Sequence, residues 1–406
     1  MQEVVRQLSE RLATSGHEIT VAATSSDLRK TKVINGVCIE EFDILGNSVA
    51  GYKAKPREIE RYRKFLAESA FDVISIFAAQ WWGFDIAAEI LENITPAKIF
   101  VPTGFSHLNN PSYKRYFRNM KAWLQCFDAN IFLSHIYQDI LFARQAEIGN
   151  CIVIPNGADE REFLSREKSS DFRARSGIPK NHKLVLHVGS HTGQKGHSEA
   201  LQIFARSKIR ETTLLLIGAK GAAFGCLDFC RKTAEALNSS IRFMADKKRI
   251  ILAELPRDDV VNAFLEADLF LFPSNIECSP IVLFEACASH TPFLATDVGN
   301  SREIAEWTGG GFILPTSSLP WHKPKEAIKE LVRLCLHPLG LPVATPRKAR
   351  FADVEKSARM LTSLINNKLQ RQKIAQNGYE GWKDKFTWEI ISRRYEALYF
   401  SVCKRD

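Results

Sequence analysis

The run DLFLFPSNIECSPIVLFEACASHTPFLATDV, residues 268–298, reads as a strand, a turn, an apolar helix and a second strand. Both strand segments are continuously apolar rather than alternating, as expected for a parallel sheet covered by helices on both faces. Two carboxylates interrupt this apolar stretch, Glu277 in the turn and Glu285 inside IVLFEACA. A buried carboxylate is costly unless hydrogen bonds satisfy it. Pro280 suits the first turn of a helix, where its missing N–H costs nothing. The N–H groups of Ile281, Val282 and Leu283 are then expected at the carboxyl edge of the sheet. That is where open α/β sheets bind ligands and where helix N-termini hold phosphate. Glu285, a turn further on, suits a vicinal diol such as a ribose, and Glu277 suits a second sugar-like group. The plainer alternative is a salt-bridged or snorkelling glutamate. The pairing of the two, beside a proline-started helix at a strand end, favours a ligand as the group that satisfies them.

The same alternation extends outward in both directions. Strands are expected at 18–24, 72–78, 97–103, 129–134 and 151–156, then at 183–189, 212–218, 249–255, 268–274 and 292–298. This is an α/β chain built twice, and 406 residues fit two domains better than one. The polar stretch 158–183 separates the two series of strands. The domains are therefore expected at 1–165, completed by 387–406, and at 166–386. Residues 320–385 read as helix and loop, with prolines at 320, 324, 338, 342 and 346. A doubly wound domain ordinarily opens on a strand. Here the chain opens inside a helix whose apolar face is Val4, Val5, Leu8 and Leu12, so a first strand is expected to be missing.

Composition narrows the function classes. A net charge of +9 favours anionic partners, while the absence of a nucleic-acid motif or a dense Lys/Arg stripe argues against nucleic acid. The nine cysteines are scattered without a CxxC pair, so neither a disulfide framework nor a zinc signature is read from their spacing. No apolar run has membrane-spanning length, and the N-terminal segment is not a signal peptide. A reduced, cytoplasmic setting is expected.

A second constellation, HVGSHTGQKGH (187–197), follows a buried strand. Gly189, Gly193 and Gly196 allow a tight loop with backbone close to a ligand, and Lys195 offers a cation to a diphosphate. The spacing is neither the dinucleotide nor the Walker pattern, which argues against NAD and against ATP hydrolysis.

Taken in order, VIPNGADEREF (153–163), the 187–197 loop, LLLIGA (214–219), LPRDDVVNAFLEADLFLFPS (255–274) and a Glu-x7-Glu pair resemble the retaining glycosyltransferases of the family-4 type. The resemblance spans most of the chain and is most specific in the second half. It implies a GT-B fold of two facing Rossmann-like doubly wound domains, with a nucleotide-diphosphate sugar held mainly by the second. It also implies that the last helix crosses back to the first domain. By position, Glu285 would bind the donor ribose, while Glu277 and the backbone of Ser279, Pro280, Ile281 and Val282 would hold the sugar and diphosphate. Gly189, Ser190 and Lys195 would line the phosphate loop, with Lys195 stabilising charge on the leaving diphosphate. No cofactor and no obligatory metal are implied.

Three departures accompany the resemblance. Ser190 stands where the family usually has arginine. PTGFSHLNN (102–110) replaces the usual Thr-x-His-Gly, with His107 as the imidazole in a shifted register. Met1-Gln2-Glu3 resembles the tail of a glycine-rich loop, so the reading frame is expected to begin upstream of Met1 or the chain to be shortened. On the acceptor side, PSYKRYFRNMKAWLQCF (111–127) interleaves bases and aromatics, as a segment touching anionic head groups would. A helix with core aromatics and solvated bases gives the same pattern.

The expected function is retaining sugar transfer from a nucleotide-diphosphate donor to a saccharide or lipid-linked acceptor in polysaccharide or glycolipid assembly. The location is cytoplasmic, with peripheral membrane contact through 111–127. The alternatives are a truncated, catalytically impaired nucleotide-sugar-binding protein and another GT-B enzyme such as a sugar-nucleotide epimerase.

Overall fold

Each strand anticipated from the apolar runs forms in the computed structural model, which describes residues 1–68, 70–164, 171–221, 225–317 and 351–403. The chain divides into two compact units, Met1–Asn156 with Trp388–Asp406, and Gly157–Thr387.

The first unit contains β1 (Ile19–Thr24), β2 (Val33–Ile34), β3 (Val37–Phe42), β4 (Leu45–Asn47), β5 (Gly51–Lys53), β6 (Val73–Phe77), β7 (Ala97–Val101), β8 (Ala129–Phe132) and β9 (Cys151–Val153). Strands β6, β7, β8 and β9 form a parallel sheet in that order. A second sheet has the order β1-β3-β2, with β1 and β3 parallel and β2 antiparallel. Among the described residues, β1 and β6 are therefore both edge strands. The two sheets nevertheless share one apolar core, in which Phe42 and Ile44 join Ile74, Ile76, Phe100 and Phe132. Helix Gln2–Thr14 buries Val4, Leu8 and Leu12, as its 3.6-residue periodicity requires. The closing helix Trp388–Cys403 belongs to this unit. Tyr395 is buried, Glu396 pairs with His17 at 2.7 Å, and Tyr399 Oη accepts from Ser75 Oγ at 2.9 Å.

The second unit holds β10 (Lys183–Val188), β11 (Thr212–Ile217), β12 (Lys248–Ala253), β13 (Leu269–Phe272), β14 (Phe293–Ala295) and β15 (Gly311–Ile313) in the parallel order β12-β11-β10-β13-β14-β15. A two-stranded ribbon, β16 (Thr316–Ser317) with β17 (Phe351–Ala352), completes the strands described. Alternate residues enter opposite cores. Leu184 and Leu186 face one with Leu215 and Phe264, whereas Val185 faces the other with Leu214, Leu216 and Phe204. Both faces are buried, which explains the continuous apolar strands. The polar stretch 158–183 is not a bare linker, because Phe163, Phe172 and Ile178 lie in this unit's core. Helices Val354–Asn366 and Lys368–Lys385 form the later part of the region read as helix and loop, whose prolines lie outside the described residues.

Asp139 anchors the loop that follows β7. It is buried, its carboxylate accepts from the N–H of Gly104 and of Ile140 at 2.9 Å each, and burial pushes its pKa up to about 6. Because the folded-state value is the raised one, the contribution of Asp139 is complete below the ordinary carboxyl range and is lost as pH rises through about 6. Melting curves of the wild type and Asp139→Asn should therefore diverge with pH. The wild type is expected to lose on the order of 2–3 kcal/mol relative to the variant between about pH 4 and pH 7. A difference independent of pH would refute this assignment.

Candidate functional site

In the second unit the strand order reverses between β10 and β13, so the loops after these two strands leave the sheet side by side. Such a switch point is where open parallel sheets place their ligands. The loop after β10, Gly189 to Gly196, is tied to the loop after β13. Asn275 N–H donates to the Gln194 carbonyl at 2.9 Å, and Ser274 Oγ lies 3.3 Å from the same oxygen. Gly196 has φ +76°, and a Cβ there would stand 1.9 Å from the Pro273 carbonyl oxygen, so only glycine permits this approach.

The stitching brings Lys195 and Glu277 together. Lys195 Nζ donates to Glu277 Oε1 at 2.8 Å, and Ser274 Oγ donates to the same oxygen at 2.8 Å. Glu277 is nearly buried, whereas Lys195 keeps about a third of its side chain in solvent. Ser190 is exposed, and Gly189 lies against the Lys195 side chain.

The apolar helix spans Ile281–Ala288, with Pro280 just before it as the N-cap. Leu283 N–H turns back to the Pro280 carbonyl at 3.2 Å. Of the three amides expected to meet phosphate, those of Ile281 and Val282 are the ones still open among the described residues. Ser279 Oγ accepts from Asn300 Nδ2 at 3.1 Å, which fixes the turn.

Glu285 is buried, and Arg257 NH2 lies 2.5 Å from its Oε1. Arg257 also bonds Glu162 through its Nε at 3.1 Å. Burial alone would press the guanidinium pKa down, but the charges of Glu285 and Glu162 and their hydrogen bonds outweigh it and hold it above its ordinary value. Both glutamates thus have protein partners, which corrects the expectation that a ligand is needed to satisfy them. Arg257 was missed in the sequence. It opens helix Arg257–Glu266, where the helix dipole disfavours a cation, and that misplacement was the available signal.

His107 lies in the first unit, on the loop anchored by Asp139, with its ring stacked on Tyr113 at 4.7 Å between centroids. Helix Lys114–Gln125 follows. Tyr113, Tyr116 and Phe117 are buried, while Lys114, Arg115, Arg118 and Lys121 are exposed. The aromatics belong to the core and do not accompany the bases to the surface. Among the described residues, no helix is long and apolar enough to cross a membrane.

Comparison with known proteins bears on the family and the fold. Residues 168–334 match the model of "Glycosyl transferases group 1", and residues 1–162 match that of "Glycosyltransferase Family 4". The lipopolysaccharide glucosyltransferase WaaG of Escherichia coli is 25% identical over 374 residues, covering 87% of this chain and 91% of that protein. An uncharacterised glycosyltransferase of Methanocaldococcus jannaschii is 23% identical over 333 residues, covering 77% of this chain and 81% of its own. Among solved structures, sucrose-phosphate synthase from Thermosynechococcus elongatus superposes with a TM-score of 0.71 at 19% identity, covering 98% of this chain and 92% of that one. Anabaena HepE in complex with UDP and glucose superposes with a TM-score of 0.69 at 16% identity, covering 98% and 95%.

Gly196→Ala tests the stitching. A Cβ at this position combines strained backbone with collision against the Pro273 carbonyl, and the variant should lose about 1–3 kcal/mol of stability by denaturant titration. A variant as stable as the wild type would show that the two loops are not locked in this way.

Proposed function

Because this chain belongs to the retaining glycosyltransferases of the family-4 type, built on the GT-B fold, we propose that the Lys195–Glu277 pair at the β10/β13 switch point is its donor-activating centre. The chain transfers a sugar in glycan or glycolipid assembly, and the alternatives of a binding protein or an epimerase are not favoured. The donor is a nucleotide-diphosphate sugar. The observation that carries the reading is a partly exposed lysine fixed by Glu277 at the β10/β13 switch point, where open parallel sheets bind their ligands.

The roles follow from charge. When the anomeric bond breaks, negative charge concentrates on the departing diphosphate. Lys195 and the amides of Ile281 and Val282 oppose that charge without reorganising at the moment of reaction. Glu277 holds Lys195 in place and offers its carboxylate to hydroxyls of the transferred sugar. Glu285, oriented by Arg257, accepts from the ribose hydroxyls. Arg257 is a positioning residue, and Gly189, Ser190, Ser279 and Pro280 supply the loop backbone. His107 serves the acceptor side as a hydrogen-bonding imidazole. The chemistry needs no metal, and the sugar is transferred with retention at the anomeric carbon.

The acceptor is a saccharide, free or lipid-linked. The exposed bases Lys114, Arg118 and Lys121 recur at helical spacing along one side of helix Lys114–Gln125, which suits peripheral contact with an anionic membrane surface.

Two experiments test these assignments. With UDP-glucose as the first donor probe, followed by other nucleotide sugars, Glu277→Gln and Lys195→Ala should each lower kcat by about 10²–10³-fold. Glu285→Ala should raise the donor KM, and the product should keep the donor's anomeric configuration by NMR. Unchanged kcat in Lys195→Ala would remove the pair from the mechanism. In vesicle sedimentation, the triple change of Lys114, Arg118 and Lys121 to Glu should abolish binding to anionic vesicles, which salt should also suppress. Equal sedimentation of both proteins would exclude this face.

A further inference from the structure

The loop that carries Lys195 also carries two histidines that the donor site does not use. His191 lies within the loop, and His197 opens the helix His197–Arg206 that follows it. Both are buried, at 1% and 2% exposure, and their rings stack with centroids 4.0 Å apart. A third group comes from a different part of the unit. Cys226 begins helix Cys226–Asn238, and its Sγ lies 3.7 Å from His191 Nδ1. One ring nitrogen from each histidine and the cysteine sulfur all lie within 4.8 Å of one another.

We propose that His191, His197 and Cys226 form a zinc site that pins the Lys195 loop to the start of helix Cys226–Asn238.

Three features support it. The donor set is two imidazoles and a thiolate, the ligand chemistry zinc prefers. Bonds of about 2.0 Å to nitrogen and 2.3 Å to sulfur, at tetrahedral angles, put donor atoms about 3.3–3.5 Å apart. The Cys226–His191 separation of 3.7 Å is already close to this, and the largest separation needs roughly an ångström of side-chain movement. The second feature is orientation. His197 Nε2 lies 3.0 Å from the Gly189 carbonyl, so its proton sits there and its lone pair is on Nδ1. A backbone carbonyl on the far nitrogen is the usual outer-shell support of a metal-ligating histidine. The third is access. Cys226 is only partly buried, so an ion has a path to the two enclosed imidazoles.

Three protein ligands leave the fourth tetrahedral position for water or an anion. The backbone is already drawn together here, since His191 N–H donates to the Ala219 carbonyl at 3.0 Å. Zinc would make this junction rigid. It is a structural device, separate from the bond-breaking step, and does not depend on the transferase reading.

The test uses the full chain after chelator treatment and dialysis, with cobalt(II) as the spectroscopic probe. The wild type should develop tetrahedral d–d bands and a thiolate-to-cobalt charge-transfer band that saturate at one equivalent and are displaced by zinc. Cys226→Ser should abolish the charge-transfer band and weaken metal affinity by more than the roughly 10–100-fold that loss of an outer-shell partner costs. Cys38→Ser, at an exposed cysteine, should leave both unchanged. Because the buried histidines bear on folding, the second readout is thermal. Zinc should raise the melting temperature of the wild type and not that of Cys226→Ser. No saturable cobalt spectrum in the wild type, or the same spectrum in Cys226→Ser, overturns the proposal.

Discussion

The close approach of Gly196 to the Pro273 carbonyl is the constraint on which the geometry of the β10/β13 switch point rests. It locks the loop after β10 to the loop after β13, across the point where the strand order reverses. With that register set, Asn275 bonds the Gln194 carbonyl, Ser274 bonds Glu277, and Lys195 is delivered to Glu277 at 2.8 Å. A side chain as mobile as lysine would otherwise sample solvent. Held by a nearly buried carboxylate, it is instead a fixed charge at the switch point.

Buried charge in the second unit is organised rather than avoided. Glu285 lies inside an apolar helix, yet Arg257 meets it, and Glu162 meets Arg257 in turn. Removing one member of such a chain strands another in a poor dielectric, so the arrangement specifies orientation more than it adds stability. The first unit solves a similar problem with backbone alone, since two N–H groups hold the carboxylate of Asp139 at the base of the His107 loop.

Much of the architecture was legible because it depends on burial. The runs that became β10, β11 and β13 are apolar on both faces, which few structures other than a covered parallel sheet tolerate. Strand β3 was not anticipated. In VCIEEF only Val37 and Phe42 are buried, and Glu40 and Glu41 are balanced by Arg61 and Arg29 from elsewhere in the chain. A strand whose charges are paired at long range has no local signature. The aromatics of residues 113–117 misled for the converse reason, since spacing alone does not distinguish a ring that packs inward from one that meets a membrane.

By itself the sequence determined the α/β class, the repetition of the fold, the family resemblance, and the pairing of Glu277 with Glu285 beside a proline-started helix. These are properties of local pattern: hydrophobic period, turn chemistry and fixed spacing. Only the tertiary structure decided what those glutamates touch, that Arg257 orients one of them, and that His191, His197 and Cys226 converge. Contacts between residues tens of positions apart depend on strand order and loop register, and no local spacing encodes either.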